Sequence, residues 1–233
     1  MLKSYHAMGK FFVKKGLRGK ILALAAQAVY NSSNIRGVVA ISIEFELKFR
    51  TAPEILETIR QTVAGEEKVI SMETTYYDTP DGALSRLHCT LRCRKENERS
   101  VCTLKMPAEG GGRREYEVDA ENIEGALPEL CKLSGFCELL SLSKNGIVPV
   151  CGARFTRMAK LLHPDGCTIE MALDSGVLLG GGREIPLCEV EFEQKSGSRE
   201  AVCTFAASLA SIYGLIPETR SKFARALSLA QGE

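Results

Sequence analysis

The sequence predicts an α+β fold in which antiparallel strands form a barrel with a polar bore and helices pack outside it. Three observations predict it. From residue 41 onward apolar and polar residues alternate with period two through most of the chain. The polar positions separate by sign, into an acidic set (Glu44, Glu46, Asp174, Glu189, Glu191) and a basic set (Lys48, Arg92, Arg94, Lys105). Helices interrupt the strands and need an apolar sheet face to pack on, the Phe45, Leu47, Val190 and Phe192 side, which leaves the charges for the interior.

The elements follow in order. The first strand is Ile41–Arg50, with Glu44, Glu46 and Lys48 on one face and Phe45, Leu47 and Phe49 on the other. Thr51-Ala-Pro-Glu54 reads as a capping-box helix start, with Ile55, Leu56, Ile59 and Val63 on one stripe and Gly65 as the stop. Strands are expected at Met72–Asp78, Thr90–Lys95, Ser100–Met106 and Arg114–Ala120, with turns at Asn97 and at the Gly110-Gly-Gly triplet. Residues 121–145 read as helix broken at Pro128 and Gly135. Strands Phe155–Leu162, Thr168–Leu173 and Pro186–Glu193 come next, the first two joined by a hairpin turn at His163-Pro-Asp-Gly166. Helices at Ser198–Tyr213 and Pro217–Ala230 close the chain. Neither Gly triplet, 110–112 or 180–182, is followed by Lys-Ser/Thr, so both read as hairpin turns rather than phosphate loops.

At 233 residues, 45% hydrophobic and 25% charged, the chain can bury one sizeable core, and wholesale disorder and a polytopic membrane protein are both excluded as classes. The net charge of +1 hides an asymmetry: residues 1–43 hold seven basic and no acidic residues. Residues 1–40 are therefore set apart as a basic extension before a domain at 41–233. The apolar run Ile21–Tyr30 suits a signal-peptide core, a transit-like presequence, a disposable amphipathic helix or a start set too early. No run is long enough for a spanning helix. The nine cysteines are odd in number and lack Cys-x-x-Cys or Cys/His zinc spacing, which points to reduced thiols in a cytoplasmic compartment.

A sheet with one solvated face gives the same alternation, but it mixes charges with Thr, Ser and Gln; the segregation of sign favours an enclosed bore. Gathered carboxylates repel unless a cation joins them, and oxygen-only ligands suit Mg²⁺ or Mn²⁺. Arg and Lys gathered opposite suit a multiply charged anion such as phosphate. Metal and cationic wall together are the requirements of phosphoryl chemistry.

Ile43-Glu-Phe-Glu-Leu-Lys48 resembles the Glu-x-Glu-x-Lys signature of the CYTH superfamily, the triphosphate tunnel metalloenzymes. Tyr76-Tyr-Asp-Thr79, Leu91-Arg-Cys-Arg94, Thr103-Leu-Lys105, Ile169-Glu-Met-Ala-Leu-Asp174, Cys188-Glu-Val-Glu191 and Ser221-Lys-Phe-Ala-Arg225 follow in that family's order. The resemblance implies an eight-stranded closed antiparallel barrel, the triphosphate tunnel, and metal-dependent hydrolysis of a triphosphate. It looks closest to bacterial inorganic triphosphatases, without the helical CHAD domain often fused to them. By position it implies that Glu44, Glu46, Glu189 and Glu191 hold metal, with Asp174 supporting the metal site or a phosphate-binding base. Lys48, Arg92, Arg94, Lys105, Arg113, Arg157, Lys222 and Arg225 would grip phosphates. Glu189, Arg157 and Lys105 would act in the chemistry itself, with a second ion or Glu189 orienting water. The resemblance implies Arg157 rather than Arg154, because its distance from the Ile169–Asp174 strand is similar to that in the bacterial members; the two lie three apart and face opposite sides of a strand. The chain has no Trp, which weakens a thiamine triphosphate reading unless Tyr76, Tyr77 or Phe49 substitutes. A class IV-type adenylate cyclase and a non-catalytic polyphosphate or nucleotide sensor are the rival readings. The partner expected is a small triphosphate, with no nucleic acid; a homodimer is allowed for.

Overall fold

A computed structural model describes residues 45–108 and 113–232. The basic extension, Glu44 and the first Gly triplet lie outside the described residues. In chain order the elements are β1 (Glu46–Arg50), α1 (Pro53–Thr62), β2 (Glu67–Asp78), α2 (Ala83–Arg86), β3 (Thr90–Glu96), β4 (Arg99–Pro107), β5 (Arg113–Asp119), α3 (Ile123–Ser134), α4 (Glu138–Ser143), β6 (Val148–Leu162), β7 (Cys167–Gly180), β8 (Arg183–Gly197), α5 (Arg199–Tyr213), β9 (Ile216–Pro217) and α6 (Lys222–Gln231).

The strands form one antiparallel sheet in the order β5-β4-β3-β2-β6-β7-β8-β1-β9. Among the described residues the sheet has nine strands rather than the expected eight, and hydrogen bonds do not close it into a barrel: its edges β5 and β9 share no ladder. The outer edge of β1, which closure would need, is taken by β9, a two-residue strand containing Pro217, which has no N–H to extend the ladder.

The alternation puts a core on one face of this sheet. Phe45, Leu47, Phe49, Met171, Leu173, Val190 and Phe192 pack with Leu56 and Ile59 of α1 and Val202, Ala206 and Ala210 of α5. On the other half, Leu91, Cys102, Leu104, Tyr116 and Val118 pack with Ile123, Leu127 and Leu130 of α3 and Leu139 of α4. Two further expectations change here. The α1 start has no side-chain cap, because Pro53 sits in its first turn with its φ already set and one orphan N–H removed. Helix α3 runs through Pro128 and ends only at Gly135, in the left-handed region at φ 69°. Strands β2, β6, β7 and β8 are longer than the alternation suggested. Their extra residues include Ile70, Cys151, Ala153 and Leu178, which join Leu187 as apolar side chains on the face otherwise charged.

That apolar stretch explains the largest departure. The C-terminal helix was expected outside; α6 instead lies on the charged side of the sheet, where Phe223, Ala226, Leu227 and Ala230 pack with Ile70, Met72, Tyr76, Phe155, Leu178 and Leu187. Gly180 permits the approach. A Cβ there would strike the Ala226 carbonyl oxygen and lie 2.7 Å from the Ala230 amide nitrogen. Gly180→Ala is therefore expected to push α6 off β7 and cost about 1–3 kcal/mol, read as a lower urea midpoint; an unchanged midpoint would contradict this packing.

Candidate functional site

Cross-strand register assembles the site. Arg157 of β6 stands opposite Asp174 of β7, Asp174 opposite Glu189 of β8, and Glu191 opposite Lys48 of β1, so all five share one face. The carboxylates of Asp174, Glu189 and Glu191 can each offer an oxygen within 4.8 Å of the others. Asp174 and Glu189 are fully buried.

Three cations answer these three carboxylates. Arg157 donates through Nε and Nη2 to both oxygens of Asp174, at 2.8 and 2.7 Å, and through Nη2 to Glu191 at 2.5 Å. Lys222 puts its Nζ among all three acids, 2.8 Å from Asp174, 2.8 Å from Glu191 and in contact with Glu189. Arg225 donates to Glu189 through Nη2, while its Nε is buried without a hydrogen-bond partner. Lys222 and Arg225 lie three apart in the first turns of α6 and so share a face. Ser221 caps that helix, accepting from the Ala224 amide at 3.0 Å. A lysine at the positive end of a helix is unfavourable by itself; the carboxylates offset that cost.

The electrostatics follow from burial. Burial pushes the Glu191 carboxyl up, but Lys222, Arg157 and Lys48 together hold it well below its ordinary value. Burial raises Glu189; Lys222 opposes this, and the Glu191 charge adds to it. Burial disfavours charge on Lys222, yet Glu191, Asp174 and Glu189 outweigh it and keep the ammonium protonated far above neutral pH. Three carboxylates face three cations, so the formal charges of the cluster balance.

The basic wall stands on β3 and β4 of the same face, with Arg92, Arg94, Thr103 and Lys105. The side chains of Arg92 and Arg94 are only 13% and 18% exposed. Carboxylates of β5 outside the expected set orient this wall. Glu115 pairs with Lys105; Glu117 lies 3.6 Å from Arg92 and accepts from the Thr103 hydroxyl at 2.9 Å. Their signal was present in Arg114-Glu-Tyr-Glu-Val118, which alternates like the other strands. Glu96 pairs with Arg94 at 2.5 Å, and the Arg94 Nε is buried without a partner.

Not every candidate converges. Glu46 stands apart from the carboxylate triad and accepts from Lys48 at 2.6 Å. Arg113 donates to the carbonyl oxygens of His88 and Lys105 and to the Thr90 hydroxyl, bracing the end of β5. Arg154 faces the other way and pairs with Glu184 at 3.2 Å. None of the three aromatic substitutes is free to stack on a ligand. Phe49 is in the core against Phe192, Tyr77 packs toward α3, and Tyr76 is buried against the Phe223 ring at 5.1 Å. Asp78 turns out to organise the following loop, accepting from the amides of Thr79, Leu84 and Ser85.

The donor set fits a hard divalent cation: three clustered carboxylates, oxygen atoms only, around a point that already attracts the Lys222 ammonium. Asp174, Glu189 and Glu191 would hold it. Among the described residues no helix is long and apolar enough to cross a membrane.

Comparison with known proteins bears on this arrangement. The CYTH domain family matches residues 42–227. An inorganic triphosphatase of Haemophilus influenzae is 30% identical over 172 residues, 71% of this chain and 49% of its own, so the chain spans about half the length of that relative. Two solved structures share the fold: HpAC1 from Hippeastrum, reported to have a dominant triphosphatase activity (20% identity, 82% of this chain, 96% of that chain, TM-score 0.55), and a candidate adenylate cyclase of Bacillus halodurans (21%, 79%, 97%, TM-score 0.55).

Proposed function

The chain belongs to the CYTH domain family, and from that premise we propose that it is a divalent-metal-dependent triphosphatase acting on inorganic tripolyphosphate. The observation that carries the proposal is the buried triad Asp174, Glu189 and Glu191, laced with Arg157 and Lys222, on the same sheet face as Arg92, Arg94 and Lys105. The triphosphatase names of the Haemophilus and Hippeastrum proteins support the reaction class. The occupied aromatics favour a substrate without an organic ring.

In this mechanism Arg92, Arg94 and Lys105 bind the phosphate chain, held in place by Glu117, Glu96 and Glu115. Arg157 and Lys222 reach the phosphoryl oxygens at the carboxylate end. A divalent cation held there would neutralise phosphate charge and act as a Lewis acid. Glu189, whose carboxyl burial pushes up, orients the attacking water in line with the terminal phosphorus. Catalysis rests on positioning and charge.

The test is phosphate release from tripolyphosphate, ATP and thiamine triphosphate, each in Mg²⁺, Mn²⁺ and EDTA, with cyclic AMP measured in the ATP arm and Glu189→Ala as control. Tripolyphosphate turnover well above the others, lost in EDTA and in the control, is expected. Turnover that persists in EDTA, or cyclic AMP as the main product, overturns it.

A further inference from the structure

Cys93 of β3 and Cys102 of β4 are Cα partners in the strand register, and their Sγ atoms are 2.9 Å apart. The hairpin joining these strands turns through Asn97 and Glu98, with Asn97 at φ 54°, and closes on the pair Glu96–Arg99. In a two-residue hairpin the closing pair is hydrogen-bonded, and bonded and non-bonded pairs alternate from it. Lys95–Ser100 is then non-bonded, Arg94–Val101 bonded and Cys93–Cys102 non-bonded. Non-bonded partners hold their Cα atoms about 4.5 Å apart, inside the span a disulfide bridges. Cys102 is fully buried beneath α3, whereas Cys93 is only half-buried, which makes Cys93 the member of the pair nearer to solution.

We propose that Cys93 and Cys102 form a redox modification site, closing reversibly into a cross-strand disulfide by exchange with a small soluble disulfide such as oxidised glutathione. The Cys93 thiolate attacks one sulfur of the external disulfide and expels the other as a thiol, leaving a mixed disulfide on Cys93. The Cys102 sulfur, giving up its proton, then attacks the Cys93 sulfur and expels the second small thiol. Two protein thiols lose two electrons and two protons, which the external disulfide takes up as two thiols. Burial, and then the contact with Cys93, push the Cys102 thiol up, so Cys93 rather than Cys102 makes the first, external attack. The staple sits directly behind the basic wall: Arg92 and Arg94 flank Cys93, and Thr103 follows Cys102, all on the opposite face. Closing it fixes the spacing of the two strands that carry Arg92, Arg94 and Lys105.

The experiment titrates the full chain with oxidised glutathione, quenches with acid, alkylates under denaturing conditions and maps the peptides. Loss of alkylation at both Cys93 and Cys102, a peptide linking them, and recovery of both labels on reduction are expected. Cys102→Ser is expected to stop at the mixed disulfide, with glutathione retained on Cys93. A stable glutathione adduct on Cys93 in the unmutated chain, or full alkylation of both thiols where other exposed thiols have reacted, overturns the proposal.

Discussion

Replacing Arg157 by alanine is expected to lower tripolyphosphate turnover by about 10³–10⁵-fold if its guanidinium faces the transferred phosphoryl group as an arginine finger does. The same substitution strands two carboxylates. Asp174 loses a two-point partner and Glu191 a 2.5 Å donor, inside a site where Asp174 has no exposed surface. Removing one member of a buried pair costs about 3–5 kcal/mol, so the urea midpoint should fall as well. Arg157→Lys separates the two effects. It keeps the charge but cannot make the two-pronged contact, and it should recover more stability than activity. Activity within tenfold of the unmutated chain in the alanine variant would remove Arg157 from the mechanism.

Lys222→Met should make the fold depend on metal. Its Nζ is shared by Asp174, Glu189 and Glu191, and the methionine leaves that charge to Arg157, Arg225 and the more distant Lys48. In EDTA the variant is expected to lose about 3–5 kcal/mol of stability. Saturating Mg²⁺ or Mn²⁺ should restore part of it, about 2.7 kcal/mol at a hundredfold excess over Kd. The unmutated chain should gain less from metal, because there the cation must displace the ammonium. Thermal melts with and without metal read both effects. An equal metal-dependent shift in both proteins would mean that the triad is not where the cation binds.

The legible part of the site was the part written in alternation. Glu189 and Glu191, Arg92 and Arg94, Lys105 and Asp174 were all named because each sits at period two against apolar neighbours, and period two fixes the face. Glu115 and Glu117 carry the same alternation, in Arg114-Glu-Tyr-Glu-Val118. What alternation does not encode is which faces meet. Glu46 shares the face of Glu191, yet it is drawn to Lys48 two residues on rather than into the triad. Arg113 lies on a strand end, where its guanidinium is spent on backbone carbonyls.

The sequence by itself determined the fold class, the antiparallel strands and the segregation of acid from base, because strand period and helix period are local properties of side-chain order. Only tertiary structure decided that the sheet stays open at β5 and β9, and that α6 lies on the charged face. The first depends on which strand reaches the β1 edge, the second on an apolar patch assembled from β2, β6, β7 and β8 and on the missing Cβ of Gly180. Both are long-range pairings, and no window of sequence contains them. The position of Lys222 among three carboxylates follows from the second, and with it the neutrality of the site.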